Sequence, residues 1–189
     1  KIDDFDSAVE NFTKASVLNP FEDKYTSAIT NIAAKLTQKG NEEYRRRDFD
    51  LALNYYKQAV RYTPKFSEAR FKSALILNKL GDYENAMITL LENLEIDPQH
   101  LQSYKLLGDV YTRVGDLENA LLWYQNAVKL NSNYDKAYYS MGKTYINLGN
   151  FNEAEVALKN ATTVNPEYSK AYESLGFIYS SREDYKSAV

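Results

Sequence analysis

The chain has no cysteine, one histidine, four prolines, seven glycines and two methionines in 189 residues. Without cysteine there are no disulfides, thiolate nucleophiles or cysteine zinc sites. With His100 as the only histidine, a metal centre would need oxygen ligands alone, and no Asp-x-Asp-x-Asp-Gly loop is present to supply them. No apolar run approaches the roughly 20 residues a membrane-spanning helix requires. Basic excess is absent too: the net charge of −3 argues against a nucleic-acid module, which carries a basic patch. The composition, 44% hydrophobic and 26% charged, is that of an ordinary folded protein.

The scarce residues fall in register. Gly81, Gly115 and Gly149 step by 34 residues, as do Gly108, Gly142 and Gly176, and Pro64, Pro98 and Pro166 keep the same spacing with Ser132 in the vacant slot. Glycine and proline punctuate backbone, so a fixed period between them marks one supersecondary unit copied along the chain. Numbering each copy from Ala33, Ser67, Leu101, Asp135 and Ser169, position 8 reads Gly40, Ala74, Gly108, Gly142, Gly176. Position 20 is always alanine, and position 27 is alanine except at Asn93. Position 24 is large: Phe12, Tyr56, Leu90, Tyr124, Leu158. Small residues at these spacings let two helices approach closely while large ones fill the gaps. Gly81, Gly115 and Gly149 suit a left-handed helix C-terminus, and the residues after them, Asp82, Asp116 and Asn150, suit an N-cap, as do Asp48 and Asp184. Proline at position 32 stops the second helix.

The spacing predicts first helices at 67–80, 101–114, 135–148 and 169–182, and second helices at 3–18, 49–62, 83–96, 117–130 and 151–164. The unit 21–66 is ten residues longer. Ile29, Ile32, Ala33 and Leu36 share one face, which predicts a first helix lengthened by about 15 Å; a break near Asp23–Thr26 is the alternative.

Tyr104-x-x-Leu107-Gly108-x-x-Tyr111 followed by Ala120-x-x-x-Tyr124-x-x-Ala127, at a 34-residue period, resembles the tetratricopeptide repeat family. The resemblance implies an all-α solenoid of antiparallel helix pairs in a right-handed superhelix. It implies about five repeats: a partial unit at 1–20, units at 21–66, 67–100, 101–134 and 135–168, and a partial unit at 169–189. It further implies a non-enzymatic scaffold or adaptor that needs no cofactor and holds a protein or peptide in a concave groove lined by the first helices. The stretch Lys39-Gly40-Asn41-Glu42-x-Tyr44 is similar to repeats that clamp chaperone C-terminal carboxylates. Only Asn41 matches that clamp, however, with Thr37, Lys72, Gln102 and Leu106 in its other places, so the clamp is not expected here.

In this family the groove positions are 2, 5, 6, 9, 12 and 13. The candidates drawn from them are Asn41, Phe71, Lys72, Leu75, Lys105, Asp109, Arg113, Tyr139, Lys143 and Phe177. Across all these slots Arg45, Lys72, Lys79, Lys105, Arg113, Lys136, Lys143 and Lys170 face only Glu68, Asp109 and Glu173. Phe71, Leu75, Tyr139 and Phe177 are apolar with no core position to account for them. A basic rim with spaced aromatics suits a peptide carrying acidic and apolar side chains. Thr37, Asn78, Leu106 and Ser174 are expected on the exposed face as well. His100 is expected in a solvated loop, and Trp123 on the outer side of a second helix, either leaning on neighbours or marking a second interface.

Residues 5–9 align with residues 185–189, so the sequence opens on an orphan second helix and ends with a first helix lacking its mate. It reads as a segment of a longer protein, with head-to-tail association between copies as an expectation. Cytoplasm and periplasm are both compatible. A recognition arm of a larger enzyme, such as a glycosyltransferase, and a self-assembling array are the alternatives to the scaffold.

Overall fold

Fourteen residues from Phe49 to Tyr62 form a helix because each local signal agrees. Asp48 caps the start by accepting from the Leu51 backbone N–H at 3.1 Å, and Ala52, Tyr56 and Ala59 line up on one buried face. The same logic recurs along the chain. In the computed structural model, which describes residues 5–181, ten helices and no strand are found among the described residues. They are Phe5–Leu18 (α1), Asp23–Arg46 (α2), Phe49–Tyr62 (α3), Ser67–Leu80 (α4), Tyr83–Ile96 (α5), Leu101–Val114 (α6), Leu117–Leu130 (α7), Asp135–Asn147 (α8), Phe151–Val164 (α9) and Ser169–Ser181 (α10). The expected boundaries hold to within two residues over the described range. The cap expected at Asp184 and the alignment of 185–189 lie outside the described residues.

The chain divides into two compact units, Lys1–Asp97 and Pro98–Val189. In the first, α1 through α5 pack each against the next. Its core joins Ile32, Ala33 and Leu36 of α2 to Ala59 of α3 and Ala69 of α4, with Phe5, Ala8, Val9 and Phe12 of α1 laid over it. A second cluster joins Ala52 and Tyr56 to Ile76. In the second unit α6 through α10 also pack in sequence. There Ala154, Leu158 and Ala161 of α9 meet Ala171, Leu175 and Ile178 of α10.

α2 runs unbroken for 24 residues, against 14 in α3 through α7. At 1.5 Å per residue the excess is about 15 Å. Its buried residues begin only at Ile32, so the added turns stand largely clear of the core.

The punctuation works as the backbone requires. Gly81, Gly115 and Gly149 take positive φ of 85°, 85° and 75°. Arg47 occupies the equivalent position of the longer repeat and takes φ 67° despite its side chain. Second helices end at Thr63, Asp97, Asn131 and Asn165, all with φ between −141° and −130°. Three of the four precede a proline, which disfavours helical backbone in the residue before it. Asp82 and Asp116 cap α5 and α7. Asn150 adopts the same backbone but makes no side-chain cap bond.

Candidate partner-binding faces

The close approach of helices rests on position 8. A Cβ added at Gly40 would lie 2.5 Å from Tyr56 Cε1, one at Gly108 2.5 Å from Tyr124 Cδ1, and one at Gly142 2.5 Å from Leu158 Cγ. Position 24 therefore packs directly against the first helix, and where it is tyrosine its hydroxyl emerges beside position 9. Tyr56 donates to Asn41 Oδ1 at 2.8 Å, and Tyr124 donates to Asp109 Oδ1 at 2.9 Å. Burial, reinforced by the nearby Tyr44 and Glu68, pushes the Tyr56 hydroxyl up to about 12. Burial beside the Asp109 carboxylate pushes the Tyr124 hydroxyl higher still. Both phenols stay protonated as donors. Where position 24 is leucine, position 9 carries Leu75 or Lys143 instead.

On the face of the first unit, Asn41 is thus held by Tyr56, and Phe71 and Leu75 are half-buried. Lys72 reaches Glu68 at 3.3 Å. Three further cations converge at one end. Arg45, Arg47 and Lys79 line a cavity of about 340 Å³ with Tyr44 and Phe49. The Tyr44 and Phe49 rings lie 5.5 Å apart, and Lys79 Nζ sits 5.1 Å from the Phe49 ring centre. None of these three cations has a carboxylate partner among the described residues.

On the face of the second unit, Lys105 pairs with Asp109 Oδ2 at 2.6 Å, which leaves Asp109 with both oxygens engaged. Arg113 and Lys143 are exposed, and so is Phe177 at 53%. Tyr139 is half-buried against the α9–α10 core, with its ring 5.0 Å from that of Tyr168. Burial raises the Tyr168 hydroxyl, with Tyr139 contributing next, and burial followed by Asp109 raises that of Tyr134. Lys143 stands one helical turn beyond Tyr139 on the same face of α8.

Several expectations change. Thr37, Asn78, Leu106 and Ser174 are buried rather than exposed; Thr37 and Ser174 turn their hydroxyls back to Ala33 O and Lys170 O. Phe71, Leu75 and Tyr139 are partly explained by packing, so of the four apolar candidates Phe177 is the freely exposed one. Lys72, Lys105 and Asp109 are engaged in ion pairs within their own helices. His100 is half-buried at the N-cap position of α6, with Nδ1 2.9 Å from Ser103 Oγ, rather than solvated. Trp123 leans on Tyr104, ring centres 6.0 Å apart. Arg47, Phe49, Tyr134 and Tyr168 were missed by the sequence reading. For the two tyrosines a signal existed: position 34 reads Phe66, His100, Tyr134, Tyr168, a nearly aromatic column.

Helix hairpins of 34 residues, closed by small residues at positions 8 and 20, define an α-solenoid repeat protein. Models of the tetratricopeptide repeat match residues 37–100 and 135–168, and a TPR repeat model matches 108–149. The chain belongs to the tetratricopeptide repeat family. Among curated proteins it is similar to anaphase-promoting complex subunit 3 of Schizosaccharomyces pombe, 30% identical over 106 residues, which is 56% of this chain and 14% of that protein. It is also similar to small glutamine-rich tetratricopeptide repeat-containing protein 2 of Mycosarcoma maydis, 32% identical over 97 residues, 51% of this chain and 25% of that protein. The chain thus spans a quarter or less of the length of these relatives. Among solved structures, MamA from Desulfovibrio magneticus RS-1 matches with a TM-score of 0.72 and 25% identity over 82% of this chain and 88% of that one. YrrB, described as a TPR protein with an unusual peptide-binding site, matches with a TM-score of 0.64 and 22% identity over 96% and 88%. No helix among the described residues is long and apolar enough to cross a membrane.

Proposed function

We propose that this chain is a non-enzymatic scaffold that binds peptides or proteins bearing acidic and apolar side chains on the faces of its first helices. The observation that carries the reading is the cavity of Arg45, Arg47 and Lys79 around Tyr44 and Phe49, three uncompensated cations beside two rings. Lys143 beside the Tyr139–Tyr168 pair repeats that chemistry on the second unit. Such a surface takes carboxylates at its cations and apolar side chains over its rings. The peptide-binding site of YrrB is consistent with this use of the fold. The role serves equally an adaptor and the recognition arm of a larger protein.

The test is a peptide array graded in acidic and aromatic content, with hits measured by fluorescence anisotropy at 50 and 500 mM salt. Acid–aromatic peptides should bind, weaken with salt, and lose affinity in Arg45→Glu/Lys79→Glu and in Lys143→Glu. Because Lys72 and Lys105 are already paired, neutralising them should matter less. Binding that ignores both salt and the charge reversals would remove the proposal.

A second reading has its own observation. Val17 and Leu18 at the end of α1 and Phe21 just after it are exposed apolar side chains, Phe21 at 98%. Such exposure suits head-to-tail association between copies. Sedimentation of wild type against Leu18→Lys/Phe21→Asp tests it; an unchanged monomer at high concentration in both would end it.

A further inference from the structure

Each repeat must cover the outer flank of its hairpin, where position 4 of the first helix meets position 23 of the second. In the repeat 33–66, Tyr55 packs beside the Ile32–Leu36 core. In 67–100, Arg70 crosses the hairpin to Glu92 and donates to Pro64 O at 2.7 Å. In 101–134, Trp123 lies over Tyr104 at 6.0 Å and 42°, and Leu107 at position 7 is fully buried. In 135–168, position 23 is Ala157, whose methyl group offers no ring to lay over Tyr138. A cavity of about 410 Å³ opens there between α8 and α9, lined by Tyr138, Met141, Tyr145, Val156 and Ala157, with Glu153 on its rim. Met141, the counterpart of Leu107, is only half-buried, and Val156 is 62% exposed. The volume falls within the roughly 300–1,000 Å³ of small-ligand sites.

We propose that this cavity is a docking site for a tryptophan side chain of a partner peptide, seated over Tyr138 as Trp123 is seated over Tyr104. The neighbouring repeat supplies the template: the equivalent two helices, with the same sequence separation between positions 4 and 23, hold an indole against a tyrosine when the chain provides one. A buried tryptophan contributes large apolar area at little conformational cost, which makes it a frequent anchor of interfaces. The rim fixes the flanking chemistry. Glu153 has no basic partner among the described residues, so a lysine or arginine next to the tryptophan complements it. This partner chemistry is opposite in charge to that proposed for the first-helix faces, and the two readings stand or fall separately.

The sequence offers a direct probe, because it contains two methionines, Met87 and Met141. Methyl-labelled methionine gives two signals: Met141 in the cavity and Met87 in the other unit as control. Titration of the full chain with acetyl-Lys-Trp-Lys-amide should move the Met141 methyl upfield in a saturable manner and leave Met87 in place. Acetyl-Lys-Ala-Lys-amide should move neither, and acetyl-Glu-Trp-Glu-amide should bind several-fold more weakly. Ala157→Trp should fill the cavity from within, shift Met141 without ligand, and reduce peptide affinity at least tenfold. Glu153→Lys, a surface change that leaves folding intact, should reverse the preference between the two tryptophan peptides. A stationary Met141, equal movement of Met87, or an undiminished response in both variants would overturn the proposal. So would a Met141 signal that moves with protein concentration alone and stops moving in Phe21→Ala, since that assigns the cavity to a second copy of the chain.

Discussion

Replacing Gly108 by alanine puts a methyl group 2.5 Å from Tyr124 Cδ1, while the same change at Gly176 meets nothing within 4 Å. Both glycines hold position 8 of their repeats and both lie inside helices. At Gly176 the substitution removes backbone entropy and should gain about 0.5–1 kcal/mol. At Gly108 the same gain is set against overpacking, which costs about 1–3 kcal/mol. Tyr124 cannot swing aside cheaply, because its hydroxyl is bonded to Asp109 at 2.9 Å and lies 3.1 Å from Thr112 Oγ1. The cost therefore sits near the upper end, and Gly108→Ala should lose about 1–2 kcal/mol net. Urea unfolding followed by circular dichroism measures both, with an unchanged slope showing that the midpoint shift reports stability. Repeat arrays can unfold in segments, so amide exchange along α7 provides the local reading. Gly108→Ala at or above the wild-type midpoint, or Gly176→Ala clearly below it, would refute the close-packing account.

Alkaline pH should destabilise the fold through its buried phenols. An unfolded tyrosine ionises near 10, whereas Tyr56 is pushed up to about 12, so between these values the unfolded chain holds fewer protons. Stability is then full below pH 10 and falls as pH rises through that window; Tyr56→Phe should flatten the decline, as measured by denaturant midpoints from pH 8 to 11. Arg47→Gly should stabilise by about 1 kcal/mol, because a side chain in the left-handed region carries roughly that penalty and Arg47 sits at φ 67°; thermal melting checks it. Asn150→Asp should gain about 0.5–1 kcal/mol by supplying the cap bond and charge that Asp48, Asp82 and Asp116 provide elsewhere, and an unchanged melting temperature would show that the backbone there cannot present the carboxylate.

The fold was legible because its determinants are local and repeated. Gly115 dictates a left-handed turn and Asp116 a cap whatever surrounds them, and the repeated copies of each signal average out the noise of any one. The long α2 was legible for a similar reason, since Ile29, Ile32, Ala33 and Leu36 hold one face without interruption. Side-chain exposure on the binding faces was less legible, because it depends on the helix that crosses above. Leu106 and Asn78 hold positions open to a groove, yet both are buried. Asn41 and Asp109 looked like ligand contacts, and their actual hydrogen-bond partner lies 15 residues away on the second helix. Ion pairing at i,i+4, as in Lys105–Asp109, was readable from spacing. The basic cavity was not, because it joins the ends of two helices to the start of a third.

Which side chains are free to bind follows from what the second helix of each hairpin demands of the first. A tyrosine at position 24 brings a hydroxyl to the surface of the first helix, and that hydroxyl needs an acceptor once it is buried. Asn41 and Asp109 are committed to that need. Leu158 makes no such demand, so position 9 of its repeat can carry Lys143 out to solvent. The same holds at position 23. Trp123 lies against Tyr104 of its own hairpin, whereas Ala157 carries only a methyl group and lines a cavity with Tyr138. Both releases occur in one repeat, 135–168, on two separate faces of one helix pair. On the functions proposed above, recognition on the second unit concentrates in the hairpin whose second helix asks least of its first.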